Sequence, residues 1–301
     1  RNAAAVLHRG KVVAVRHKSL LPTYDVFDEA RYFEPADEIA PVHVSGLRLG
    51  ITICEDIWTD EFLPRPFYHV SPPEKLAAQG IDLLVNLSAS PFHAGKPDVR
   101  ETMMCAAARE LGVPIAYCNA IGGNDQLVFD GHSVVIDRAG AVTTRLAGFA
   151  EEVARDGLRS TASETEQIYQ ALVLGTRDYI RKCGFKSAVI GLSGGIDSAI
   201  TAVIAAAALG PENVTGVSMP SRYSSDGSKD DARDLARNLG IHYHTVPIEP
   251  VFATLKDQLS DVFAGKAEDL TEENMQSRIR GVIMMSISNK FGHLLLTTGN
   301  K

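Results

Sequence analysis

Two groups of residues in this sequence have the types and spacing to do chemistry. The first is Ser193-Gly194-Gly195-Ile196-Asp197-Ser198. Its glycines let the backbone turn with positive φ and come close to a ligand. Ser193 and Ser198 bring hydroxyls, and Asp197 brings a carboxylate that can hold Mg²⁺ beside phosphates. The sequence turns Ala-rich and helical from Ser198 to Leu209. A helix N-terminus preceded by Gly and Ser offers free N–H donors and the positive end of the helix dipole, which makes a phosphate site. The pattern is neither a Gly-x-x-x-x-Gly-Lys-Ser/Thr loop nor a dinucleotide Gly-x-Gly-x-x-Gly fingerprint. The second group centres on Cys54, which ends an apolar run and precedes Glu55 and Asp56. On the cysteine alone a packed core thiol is the commoner reading than a nucleophile. Amide hydrolysis by a thiol needs a thiolate, a general base and a cation for the tetrahedral oxyanion. Lys18 could supply that cation, and Glu55 could bind a substrate amine.

The elements that must position these groups read as follows. Residues 6–13 form a hairpin, and the charged, Pro-bearing stretch 16–29 a loop of the kind that forms sites. Strands are expected over 47–53, 81–87 and 115–119, a helix over 99–111, a turn at 122–125, and a hairpin over 133–146. Charged and Ser/Thr-bearing residues 151–166 are taken as a linker between a domain at 1–150 and one at 167–301. An amphipathic helix spans 165–182. Strand and helix then alternate: strands at 188–192, 214–219, 241–246 and 293–298, with helices at 199–209, 226–239, 249–263 and 272–290. This alternation implies a doubly wound parallel sheet with ligands beyond the C-terminal strand ends.

At 301 residues the chain has room for two domains, and 45% apolar with 22% charged residues is ordinary globular material. The net charge of −7 and the lack of a basic run argue against a nucleic-acid polymer as partner. No apolar run reaches membrane-spanning length. The four cysteines, Cys54, Cys105, Cys118 and Cys183, show no C-x-x-C and suit a reducing cytoplasm. Beyond Cys54 they are expected to pack, with Cys183 partly exposed. His242 and His244 alternate on a strand and lack a third ligand for a metal. Met284-Met285 reads as packing, and Asp230-Asp231 as a solvated helix face. Because the chain opens without Met and ends straight after a strand-like run, it is expected to be an internal portion of a longer protein.

The run Ser193–Asp197–Ser198 resembles the pyrophosphate loop of the ATP-pyrophosphatase family, which cuts ATP into AMP and pyrophosphate. Lys18, Tyr24 and Phe27-Asp28-Glu29, with Gly50-Ile51-Thr52-Ile53-Cys54-Glu55-Asp56-Ile57-Trp58, resemble the nitrilase (carbon–nitrogen hydrolase) family. More narrowly they resemble the glutaminase domain of glutamine-dependent NAD synthetases. Four further stretches resemble the synthetase domain of the same family: 169–175, Met219-Pro220-Ser221-Arg222-Tyr223-Ser224-Ser225, 271–278 and Leu296-Thr297-Thr298-Gly299-Asn300-Lys301.

The resemblance implies a nitrilase-like αββα sandwich, incomplete here, followed by a doubly wound parallel-sheet ATP-pyrophosphatase domain. It implies a cytoplasmic ligase, homo-oligomeric, whose substrates are L-glutamine, deamido-NAD and ATP with Mg²⁺. By it Cys54 is the nucleophile and Lys18 the oxyanion lysine. Tyr24, Glu55, Ser90 and Lys96 bind glutamine. Ser193, Gly194, Gly195, Ile196, Asp197, Ser198, Arg222 and Thr298 bind ATP, with Asp197 on the metal, and Asn274 and Arg278 bind deamido-NAD. The family's glutamate base is expected ahead of Lys18, in a segment missing from this sequence, as is an acidic residue just after Lys301. Two alternatives stay open: another glutamine-dependent ATP-pyrophosphatase ligase, and an inactive nucleotide-binding derivative.

Overall fold

The computed structural model describes residues 1–58, 68–153 and 156–299. The chain divides into two compact units, one built on residues 1–122 and 126–171, the other on 123–125 and the residues from 172 onward. Each is described by itself.

In the first unit β1 (Ala3–His8) and β2 (Lys11–His17) form an antiparallel hairpin closed at Arg9 and Gly10, both with positive φ. A loop leads to the single turn α1 (Glu29–Tyr32). Next come β3 (Val42–Val44), β4 (Leu47–Ile53), α2 (Pro72–Ala78), β5 (Leu83–Ser88), α3 (Lys96–Leu111) and β6 (Ile115–Asn119). The hairpin β7 (Ile121–Asn124) and β8 (Leu127–Asp130) follows, then β9 (Val134–Ile136), β10 (Val142–Arg145), β11 (Gly157–Leu158) and α4 (Glu164–Lys182); the end of β7 from Gly123 and the part of α4 from Leu172 are counted with the second unit. Seven strands make one mixed sheet in the order β11-β10-β9-β6-β5-β4-β3, with β4, β5 and β6 parallel at its centre. Parallel neighbours need crossover connections, and α2 and α3 supply them. Their apolar faces pack on one side of the sheet: Leu76, Met103, Met104, Ala107 and Ala108 meet Leu84, Ile115, Tyr117, Val134 and Ile136.

In the second unit β12 (Ala188–Gly191), α5 (Ile196–Leu209), β13 (Val214–Ser218), α6 (Asp226–Leu239), β14 (His242–Thr245), α7 (Glu249–Leu259), α8 (Leu270–Phe291) and β15 (Leu294–Leu296) alternate as expected. The four strands are parallel in the order β14-β13-β12-β15. Period-two alternation along the strands sends Ile190 and Val214 to one face, against Ala202, Ala206, Ala232 and Ala236 of α5 and α6. Val189 and Val217 go to the other, against Met284 of α8. This two-sided burial makes the doubly wound sheet. Strand order reverses between β12 and β15, and the crevice beyond such a reversal is where open α/β sheets bind ligands. No helix among the described residues is long and apolar enough to cross a membrane.

Several expectations are corrected. The stretch 122–125 is not a turn: Ile121–Asn124 is a strand, and the chain reverses at Asp125, whose φ is 51°. A pair of glycines marks a turn in sequence, but a short hairpin strand tolerates them too. α3 begins at Lys96 rather than 99, because Pro97 occupies the first turn, where a missing N–H costs nothing. α5 begins at Ile196 rather than 198, and α8 at Leu270, where Asp269 and Glu272 form a capping box. Cys118 is exposed rather than packed. It shares with Leu87 and Val135, also exposed, the centre of the sheet that α2 and α3 cover only on one side.

Candidate functional site

β4 delivers Cys54 at its C-terminal end. Ile53 is the last strand residue, and Cys54 opens a tight 3-10 turn through Ile57 with a φ of 48°. A non-glycine residue in this left-handed region is uncommon and held there at a cost. Asn86 of β5 braces the turn, donating to Thr52 Oγ1 at 3.0 Å and to the Cys54 carbonyl at 3.4 Å. Burial pushes the Cys54 thiol up, while Lys18 and the Ala89 N–H pull it the other way. Lys18 follows β2 and is 1% exposed, its ammonium 2.5 Å from Glu29 Oε1 at the start of α1. The second oxygen, Glu29 Oε2, is buried with no hydrogen-bond partner among the described residues.

A cavity of about 220 Å³ opens beside the thiol, lined by Tyr24, Cys54, Glu55, Trp58, Ser90 and Lys96 among others. This lies below the roughly 300–1,000 Å³ of drug-sized sites and suits a small polar ligand. Glu55 is buried, and its Oε1 accepts from Tyr24 Oη at 2.6 Å and Tyr68 Oη at 3.2 Å. Burial and this carboxylate together push both phenols up, so they stay neutral donors. The Lys96 ammonium lies 5.8 Å from the centre of the Trp58 ring. Burial, then nearby Arg100, pulls its pKa below the usual lysine range.

Behind the cavity Arg100 of α3 and Asp130 of β8 form a buried pair, with Nη2 to Oδ2 at 2.7 Å. Asp130 also faces His132 Nδ1 at 2.8 Å and Asn119 Nδ2 at 3.2 Å. Asn119 in turn accepts from the Ser90 N–H at 2.9 Å, so the pair fixes the segment that carries Ser90. Burial opposes ionisation of Asp130, but His132 and Arg100 outweigh it and hold the carboxyl below its ordinary range. Removing one partner strands a buried charge. Arg100→Met is therefore expected to cost about 3–5 kcal/mol of unfolding free energy, read from urea denaturation. A loss under about 1 kcal/mol, the scale of an exposed pair, would show that the pair is not supporting the unit.

In the second unit a cavity of about 400 Å³ lies at the C-terminal ends of β12 and β13, lined by Gly191, Leu192, Ser193, Met219, Ser228 and Arg280 among others. The expectation that both glycines take positive φ is corrected. Gly194 has φ 79°, whereas Gly195 is extended at −92° and serves as the N-cap of α5. A Cβ on Gly194 would sit 2.4 Å from the Ser228 carbonyl oxygen of α6, so only glycine allows this approach. The serine hydroxyls shape the loop: Ser198 Oγ donates to Gly195 O at 2.9 Å, and Ser193 Oγ accepts from Gly195 N at 3.2 Å. Asp197 is exposed in the first turn of α5. Among the described residues no cluster of three His, Cys, Asp or Glu could hold a metal alone. Asp197 offers the loop one exposed carboxylate, an oxygen ligand of the kind a hard cation takes.

None of the remaining expected residues is among those lining this cavity. Arg222 is exposed and donates from Nε to Glu249 Oε1 at 2.8 Å. Thr298 is exposed beyond the end of β15, and Asn300 and Lys301 lie outside the described residues. Asn274 and Arg278, bonded to each other at 3.1 Å, line a separate groove with Val251 and Val282 rather than the loop cavity. The residue of α8 that does line the loop cavity is Arg280, which donates from Nε to Met219 O at 3.3 Å. It also borders an acidic cavity with Glu272 and Glu273. Sequence reasoning quoted Glu29 within its motif but gave it no role, and it missed Arg280. Arg280 sits two residues past Arg278, about 200° around the helix, a signal that was available.

Comparisons with known proteins match two family models, one after the other along the chain. The family model for carbon-nitrogen hydrolase matches residues 1–164, and that for NAD synthase matches residues 168–301. The chain is 47% identical over 314 residues to a glutamine-dependent NAD(+) synthetase of Synechocystis sp., covering 100% of this chain and 56% of that protein. It is 43% identical over 345 residues to one of Thermotoga maritima, covering 100% and 58%. The solved glutamine-dependent NAD⁺ synthetase of Acinetobacter baumannii in complex with adenosine diphosphate superposes with a TM-score of 0.89 at 37% identity, over 100% of this chain and 57% of that one. The chain therefore spans 56–58% of the length of these relatives.

Proposed function

The chain belongs to the carbon–nitrogen hydrolase family and carries an NAD synthase region behind it, and from that premise we propose that it amidates deamido-NAD to NAD with ATP, taking the ammonia from glutamine. Residues 1–150 are read as the glutaminase half and 167–301 as the synthetase half, in a cytoplasmic enzyme whose four free cysteines stay reduced. The observation that carries the reading is the union in one chain of a thiol cavity at the end of β4 and a glycine-dependent loop at the end of β12. The adenosine diphosphate in complex with the Acinetobacter relative supports nucleotide binding as part of the reading.

In the glutaminase half Tyr24, Glu55, Ser90 and Lys96 hold glutamine by its polar groups. The Cys54 thiolate attacks the carboxamide carbon, and the oxyanion develops against Lys18. Glu29 holds that ammonium in place. The general base passes the proton taken from the thiol to the nitrogen of the adduct, ammonia departs, and water, deprotonated by the same base, then cleaves the glutamyl thioester to glutamate and the free thiol.

In the synthetase half the nicotinate carboxylate of deamido-NAD is a poor acyl donor. Its attack on the α-phosphorus of ATP makes an acyl adenylate and releases pyrophosphate. The free N–H groups at the start of α5 stabilise the leaving group, with Ser193 to Ser198 forming the loop and Arg222 and Thr298 contacting the nucleotide. Mg²⁺ held by Asp197 would neutralise charge on the phosphates. Asn274 and Arg278 are assigned to deamido-NAD. Ammonia attacks the activated carbonyl, and AMP leaves. Local supply matters because ammonium, not ammonia, dominates at neutral pH.

The test is to incubate the purified full-length protein that contains this chain with deamido-NAD, ATP and Mg²⁺, with glutamine or ammonium as nitrogen source, and to separate the products by chromatography. NAD, AMP and pyrophosphate are expected in equimolar amounts from both sources. Failure to form NAD from either source refutes the reading.

A further inference from the structure

Asp56 is a buried carboxylate that the mechanism above leaves unused. It is 2% exposed. Its Oδ1 accepts from the backbone N–H of Ser19 at 2.9 Å and of Leu20 at 2.8 Å. Its Oδ2 accepts from the N–H of Ile53 at 3.0 Å. Ser19 and Leu20 are the two residues after Lys18, and Ile53 is the residue before Cys54. One carboxylate thus grips the chain directly beside both reacting side chains, from segments more than thirty residues apart.

We propose that Asp56 is a positioning residue, which sets the Lys18 ammonium in register with the Cys54 thiol and so fixes the reactivity of that thiol. The proposal rests on the reading of Cys54 as nucleophile and Lys18 as its cation. Three features support it. Cys54 sits at φ 48°, so the strand end is held in a conformation that a free chain would leave. The loop from Lys18 to α1 has no sheet ladder of its own to hold it, and Asp56 supplies the missing acceptors. The ionised form is itself maintained at a cost: burial pushes Asp56 up to about 6, against the N–H groups of Leu20, Ile53 and Ser19 and the Lys18 ammonium. Tyr68 and Lys18 are the titratable groups that face it from other elements, with Cys54 and Glu55 on its own turn. A carboxylate kept charged in such a place, with each oxygen engaged, does more there than a neutral side chain of the same shape.

Asparagine at this position keeps the shape but turns one acceptor into a donor. Its amide would face the Ile53 N–H donor to donor, and the tie to the Cys54 side is lost. The experiment measures alkylation of Cys54 by iodoacetamide, resolved by peptide mass spectrometry, with exposed Cys118 and Cys183 as references in the same sample. In Asp56→Asn the Cys54 rate at pH 7 is expected to fall about ten-fold, with its pH–rate midpoint raised by about one unit. The two reference cysteines stay unchanged. A merely structural role predicts the opposite sign, because loosening the fold exposes a half-buried thiol and speeds its alkylation.

Asp56→Glu keeps the charge but moves the oxygens by a methylene. It is expected to stay slow, whereas full rescue by Glu would reduce the role to charge alone and overturn the proposal. Lys18→Met is run in parallel. If it slows Cys54 and Asp56→Asn does not, the proposal fails while the reading stands. If Lys18→Met leaves Cys54 unchanged, the reading of Lys18 itself falls. Should neither Asp56 variant fold, amide exchange in the unmutated protein decides: Ser19, Leu20 and Ile53 are expected to be protected together, and unprotected exchange at Ser19 and Leu20 overturns the proposal.

Discussion

Cys54→Ala abolishes NAD formation from glutamine and leaves formation from ammonium within about two-fold of the unmutated protein. The loss is expected to be on the order of 10⁴-fold or more, the scale seen when a covalent nucleophile is removed and only binding and oxyanion contacts remain. Alanine is smaller than cysteine and has a Cβ like it, so the left-handed backbone at position 54 is no more strained than before. The cavity walls made by Tyr24, Glu55 and Lys96 do not depend on the sulfur. Glutamine still binds, but no thioester forms. Parallel assays with the two nitrogen sources check this. If both activities survive, Cys54 is not the nucleophile. If both vanish, the two halves are not chemically separable as proposed.

Gly194→Ala has the complementary effect and removes NAD formation from both nitrogen sources. Alanine at φ 79° costs roughly 1–2 kcal/mol in backbone strain alone. Its Cβ would also meet the Ser228 carbonyl oxygen at 2.4 Å, and that atom belongs to a helix backbone that cannot simply rotate aside. The loop must therefore move off α6, and the N–H groups it presents move with it. ATP affinity is expected to fall at least about 100-fold, or about 2.8 kcal/mol, measured by calorimetric titration with a non-hydrolysable analogue. Alkylation of Cys54 stays unchanged, because the first unit keeps its own core. Affinity retained within about three-fold would show that the nucleotide sits elsewhere.

These two results would test the parts that were most legible in the sequence. The phosphate loop was readable because its glycines, hydroxyls and carboxylate are contiguous, and the flanking apolar run and Ala-rich run announce strand and helix. The alternation after residue 187 gave the parallel sheet for the same reason: each element is long and regular enough to declare its period. The cavity around Cys54 draws on positions 24, 54, 55, 90 and 96, which no periodicity links. Their grouping came from resemblance, not from spacing. The pairing of Glu29 with Lys18 escaped because an irregular loop brings the two together. The function of Asp56 is invisible in sequence for a related reason. Its partners are backbone N–H groups, which every residue but proline possesses, so no residue type marks them. The turn expected at 122–125 failed because glycines were read for what they permit, and here a hairpin strand used them.

The opposed faces of α8 bear on how this protein tolerates changes in length. Asn274 and Arg278 look into one groove, while Gln276 and Arg280 look toward the acidic cavity. An α-helix turns about 100° per residue, so one inserted residue ahead of position 276 would swing all that follows by that angle and exchange what each groove is offered. Insertions and deletions in variants that keep their activity must therefore fall outside 274–280, in the stretch between α7 and the Asp269 cap or beyond the helix. The segment behaves as a rigid key whose cuts lie on two edges: substitutions can reshape one edge at a time, but a frameshift in the helical phase spoils both at once.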